Sequence, residues 1–124
     1  MAKKTIRKTV SRTKPREQTV EQARDLVSDD LLIEFFRTVR PDNEVLAVRL
    51  INEHLDKGRT LDEILLDNAG YGFLLSVERL SDAAFRISFG CQAGPLAGDG
   101  GVWNVAFDDR GNVSSLSGGL TWIS

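Results

Sequence analysis

Residues 84–91 read Ala84-Phe-Arg-Ile-Ser-Phe-Gly-Cys91, with Phe85, Ile87, Phe89 and Cys91 recurring at every second position. Side chains on a strand point to alternate faces, so this period predicts a half-buried β-strand with those four residues inward. The pattern continues on either side. Residues 102–108 set Trp103, Val105 and Phe107 on one face, residues 113–122 extend that face with Leu116, Leu120 and Trp122, and residues 73–80 alternate before it. Turn residues separate the four runs. Asp108-Asp-Arg-Gly111 reads as a hairpin turn whose glycine takes positive φ, and Gly118-Gly119 marks a bulge or a tight approach in the last strand. The other sheet face, with Ser76, Glu78, Arg86, Ser88, Gly90, Asn104, Ala106 and Ser115, is small and polar.

Before Gly70 the period is helical. Thr19-Val-Glu-Gln22 has the form of a capping box, in which a threonine hydroxyl and a glutamine amide serve free backbone groups. Val20, Ala23, Val27 and Leu31 follow at helical spacing, but Ser28-Asp-Asp30 is a second cap signal. Residues 19–39 therefore form one helix or two abutting ones, with Leu32, Phe35, Phe36 and Val39 on the buried side. Pro41 ends that segment. Asp42 is expected to cap a helix over about 43–57, with Val45, Val48, Ile51 and Leu55 as its inner stripe and Gly58 as its left-handed end. Thr60-Leu-Asp-Glu63 opens a short helix through Leu66 or Asp67 that ends before Gly70. Helices followed by a meander predict an α+β fold, with the N-terminal helices packed on one face of a C-terminal four-stranded antiparallel sheet.

Composition separates a tail from a body. With 41% apolar and 27% charged residues the chain has the make-up of a globular protein. Its 124 residues suit one domain. Residues 1–16 hold Lys3, Lys4, Arg7, Lys8, Arg12, Lys14 and Arg16 and no acid. Residues 17–124 hold nine Lys/Arg against eighteen Asp/Glu, a net charge of −9. Residues 1–17 carry too little apolar surface to offset an ordering entropy of about 1–2 kcal/mol per residue, so they are expected to be a disordered arm ahead of a single domain over 18–124. No apolar run is long enough to cross a bilayer and no apolar signal core opens the chain, which together point to the cytosol. One cysteine leaves neither an internal disulfide nor a thiolate metal site, and no spacing implies a metal or a cofactor.

Four constellations bear on function. The acids Asp25, Asp29, Asp30 and Glu34 around the first helices, with Asp62, Glu63 and Asp67 on the short helix after Thr60, are candidate contacts for a basic protein, because complementary charge speeds and selects association. The seven tail cations are candidate phosphate contacts, sequence-blind and salt-sensitive, although no aromatic residue accompanies them for base stacking. They also read as a transit-like segment or a solvated arm. Gly90-Cys-Gln-Ala-Gly-Pro-Leu-Ala-Gly-Asp-Gly-Gly101 lacks the lysine and the following helix of a phosphate loop and reads as a mobile connection between strands. A ligand pocket there would draw on Cys91, Asp99 and Trp103. Cys91 with His54, the one histidine, is the only thiol mechanism open to the chain, against the commoner reading of a buried structural cysteine and a surface histidine. The leading expectation is a non-catalytic inhibitor, immunity-type or adaptor module with a basic protein partner. Behind it stand a nucleic-acid accessory protein using its tail, and a small ligand-binding domain or enzyme; a homodimer through the polar sheet face is also open.

Overall fold

The computed structural model describes residues 18–40, 45–66, 72–94 and 97–123. Four helices precede four strands: α1 Val20–Leu26, α2 Asp29–Val39, α3 Leu46–Asp56, α4 Leu61–Leu66, then β1 Phe73–Ser81, β2 Ala84–Gly94, β3 Ala97–Phe107 and β4 Val113–Ile123. The strands form one antiparallel sheet in the order β1-β2-β3-β4. The α+β architecture predicted from the two periods is the one observed.

The local signals explain the helix ends. Residues 19–39 form two helices, because Val27 turns extended while the Ser28 hydroxyl accepts from the Leu31 N–H at 3.3 Å and restarts the ladder. Both capping boxes are present. Thr19 and Gln22 serve each other's backbone N–H groups at 3.1 and 3.0 Å, and Thr60 and Glu63 do so at 3.2 and 2.7 Å. Gly58 and Gly111 both take φ +84, as the helix end after Lys57 and the β3–β4 turn require.

The core lies between the helices and one sheet face. Phe35 of α2 meets Trp103 edge-on at 5.5 Å between centroids, Phe36 packs on Phe89 at 4.7 Å, and Phe89 stacks on Phe73 at 5.5 Å. Trp103, Val105, Phe107, Phe85, Ile87, Phe89 and Cys91 are all buried, on the face assigned to them by alternation. A polar seam joins α2 to α3. Buried Asn52 donates to the Phe36 and Val48 carbonyls and accepts from Arg37, while Asp56, one turn on, pairs with Arg37 and Arg40.

Three expectations need correction. Helix α3 begins at Leu46 after Val45, which offers no side-chain cap; Asp42 lies outside the described residues. The glycine-rich stretch is not a loop for most of its length. It continues β2 to Gly94 and begins β3 at Ala97, with Gly90 opposite Gly100 and Cys91 opposite Asp99. Trp122 does not continue the inner face. A register shift between Gly100 and Gly101 leaves Thr121 as an extra β4 residue, so Trp122 pairs with Gly100 and falls on the outer face. The Gly118-Gly119 expectation holds as a tight approach: Gly118 has φ +115, and a Cβ there would collide with the Val102 carbonyl and stand 2.8 Å from Trp103 Cα.

Candidate functional site

Asp99 is the buried acid of the sheet, 6% exposed, and its chemistry is structural. Its carboxylate accepts from the Leu46 N–H at 2.6 Å and the Ala47 N–H at 3.1 Å, two free donors at the start of α3. The side chain comes from a strand 52 residues further along and replaces the local cap that Val45 cannot supply. Negative charge at a helix N-terminus is favourable, and such charge-assisted bonds are the stronger kind. Alternation could have found it: counting back by two from Trp103 passes Gly101 and reaches Asp99 on the inner face.

Cys91 pairs with Asp99 across the ladder and is buried, and burial pushes its thiol above the ordinary range. A nucleophilic cysteine requires the opposite shift. His54 stands eight residues along α3 from the end that Asp99 caps, about 12 Å at the helical rise. Its Nδ1 lies 3.0 Å from an Arg59 guanidinium nitrogen. Burial first, then the charges of Arg59 and Lys57, hold its pKa below the ordinary histidine value. Trp103 is enclosed in the core against Phe35. The structure thus brings Cys91, Asp99 and Trp103 to one inner face, where Asp99 caps α3 and Trp103 fills the core, and it seats His54 beside Arg59.

The acidic candidates divide. Arg24 of α1 pairs with Asp29 of α2 at 2.6 Å and with Asp62 of α4 at 2.5 Å, so one guanidinium ties three helices. These bonds raise the Arg24 pKa above its usual value. Glu63 is drawn into its capping box, and its pKa is lowered first by the backbone N–H of Thr60. Glu34 sits 3.5 Å from both the Thr38 hydroxyl and the Val113 N–H. Asp25 and Asp30 are exposed and make no ion pair with the described residues. Asp67 and the tail cations Lys3, Lys4, Arg7, Lys8, Arg12, Lys14 and Arg16 lie outside the described residues.

The outer sheet face has two ends. At one, Glu78, Arg86 and Asn104 form a cross-strand ladder, with Arg86 donating to Glu78 at 2.8 Å and to Asn104 at 3.3 Å. At the other, one row runs Leu74, Gly90, Gly100, Trp122. The Trp122 indole lies across the two glycines: a Cβ on Gly100 would stand 2.5 Å from its Nε1, and one on Gly90 2.8 Å from its Cζ2. Gly90 and Gly100 are thus the bed of a tryptophan, while Gly98 approaches the Cys91 and Gln92 backbone and Gly101 approaches Gly119 and Trp103. Leu74, at the end of that row, is 52% exposed.

Among the described residues no cluster of three or more His, Cys, Asp or Glu side chains is placed to hold a metal ion, and no helix is long and apolar enough to cross a membrane. Comparison of the chain with protein-family models, with curated proteins and with solved structures returns no match.

Proposed function

We propose that this protein is a non-catalytic binding module, of the inhibitor, immunity or adaptor kind, that meets a basic protein through the acidic corner where α1, α2 and α4 converge. The observation that carries the reading is the arrangement around Arg24. It holds Asp29 and Asp62 in place while leaving their side chains 44% and 65% exposed, beside Asp25 and Asp30, which make no ion pair among the described residues. Carboxylates already fixed in position lose little entropy when a lysine- or arginine-rich segment arrives, and a body of charge −9 steers such a partner inward. Support also comes from the uses already found for other candidates: Asp99 caps a helix, and Cys91 is a buried thiol remote from the His54 ring.

The test is capture of partners by the full chain at low and high salt, beside the Asp25→Asn/Asp30→Asn double variant. The expected result is a basic protein retained at low salt, released by salt, and bound at least several-fold more weakly by the variant. Retention unaffected by both salt and the double substitution would refute an acidic contact surface. Gel shifts with and without residues 1–17 separate this reading from nucleic-acid binding by the tail.

A further inference from the structure

Arg59 closes the end of α3 twice over. Its backbone N–H donates to the His54 carbonyl at 3.2 Å, and its guanidinium stands 3.0 Å from His54 Nδ1. The chain folds back in this way through Gly58, whose φ is +84. A second guanidinium nitrogen of Arg59 donates to the Glu63 carbonyl at 3.1 Å, inside α4. The side chain therefore bridges the last turn of α3 to a helix of six residues. A guanidinium has donors and no acceptor, so this contact fixes the ring: Nδ1 is the bare, accepting nitrogen and the proton sits on Nε2. Such a bond exists only for the neutral imidazole. A protonated ring carries N–H groups on both nitrogens and sets one of them against the Arg59 N–H.

We propose that His54 is an acid-sensitive latch on α4: the neutral ring holds Arg59 in its bridge, and a protonated ring releases Arg59 and loosens α4. The surroundings of the ring set how it responds. Burial disfavours the cation most, then Arg59 and Lys57; Glu53 favours it, as do the free carbonyls at the end of α3. Charged groups on the other described elements are engaged elsewhere. Arg37 and Arg40 of α2 pair with Asp56, two residues on and so on the far side of α3. Asp99 of the sheet caps the opposite end of the helix. On α4 itself, the Glu63 carboxylate accepts from the Thr60 N–H, and Asp62 pairs with Arg24. Leu61, Ile64 and Leu65 anchor α4 in the core, so release of Arg59 frees its turns without expelling it, and the change is local. The latch works whether or not the acidic corner holds a partner.

The experiment is nuclear magnetic resonance on the full chain from about pH 7.5 to about pH 4.5, beside His54→Gln. His54 is the one histidine, so the imidazole signals are its own. At neutral pH Nδ1 should resonate as an unprotonated nitrogen and Nε2 as a protonated one. On acidification the Ile64 and Leu65 amides should lose hydrogen-exchange protection several-fold, after correction for the intrinsic rate, with the midpoint of the ring titration. The Phe35 and Ile87 amides, in α2 and β2, should keep theirs. His54→Gln offers Arg59 a carbonyl acceptor that does not titrate, so its α4 should stay protected throughout. A neutral ring protonated at Nδ1 overturns the proposal, as does α4 protection that is constant through the ring titration or falls equally in His54→Gln. A loss shared equally by Phe35 and Ile87 is global unfolding and overturns it too. Should His54→Gln fail to fold, the wild-type chain decides: coincident midpoints of ring and α4 support the latch, and separate midpoints overturn it.

Discussion

Asp99 and Trp122 show how much a single side chain can hold when it reaches across the fold. Removing the Asp99 carboxylate leaves two helix-terminal N–H groups in a buried site without an acceptor. Asp99→Ala is therefore expected to cost about 2–3 kcal/mol, and Asp99→Asn, which keeps one acceptor oxygen, about half of that. Urea unfolding of the three proteins measures it; equal stability would mean that α3 does not depend on this cap. Gly100→Ala drives a methyl group into the Trp122 indole and should cost about 1–3 kcal/mol. The three atoms nearest that methyl belong to Trp122, so the same substitution should cost much less in a Trp122→Ala background. A double-mutant cycle with a coupling below about 0.5 kcal/mol would show that the indole does not rest there. Asp99 was within reach of alternation, whereas Trp122 changes face at a bulge that alternation does not show. Alternation places Asp99 inward once β3 is extended, but twelve residues with five glycines look like a loop; in the fold Gly90 and Gly100 lie under the indole, and Gly98 and Gly101 lie close against neighbouring strands.

At the scale of elements, cap chemistry was the most legible part of the chain. The Thr19, Ser28 and Thr60 signals each sit where a helix starts, because they act between residues three apart and need no tertiary partner. Helix α3 is the exception, since its cap arrives from another element. The joint of α1, α2 and α4 is likewise tertiary: Arg24 has no local reason to serve both Asp29 and Asp62. Arg24→Ala is expected to destabilise by about 1 kcal/mol at low salt and less at high salt, since both pairs are partly exposed and screened. The same substitution releases Asp29 and Asp62 from their fixed positions, so a basic partner at that corner should bind several-fold more weakly. Binding unchanged by it would place the contact elsewhere.

For the whole molecule, pH reports how titratable groups are seated. Burial and the neighbouring Arg59 and Lys57 keep the His54 pKa below its ordinary 6.5. On acidification the unfolded chain takes up that proton first, so stability falls as pH drops through 6.5 and levels once the folded protein is protonated too. Asp56, held low chiefly by its hydrogen bond from Arg37, acts further down: its contribution is present above the ordinary carboxylate value of 3.8 and lost as pH falls below it. Denaturant midpoints at about pH 5.5 and about pH 7.5 should differ in the wild-type chain and differ less in His54→Gln. An unchanged difference would assign the acid sensitivity to other groups.

What the sequence determines by itself is local or periodic: the change from a 3.6- to a 2-residue repeat near Gly70, the inner aromatic face, three of the four helix starts and the turn glycine Gly111. Each depends on neighbours a few positions apart, where chain geometry leaves few alternatives. Which acids are drawn into ion pairs and caps, and which glycines of β2 and β3 lie beneath Trp122, were settled by the fold. Those outcomes depend on pairs such as Asp99 with Leu46, Gly100 with Trp122 and Arg24 with Asp62. Only packing brings such distant residues within hydrogen-bonding or van der Waals reach.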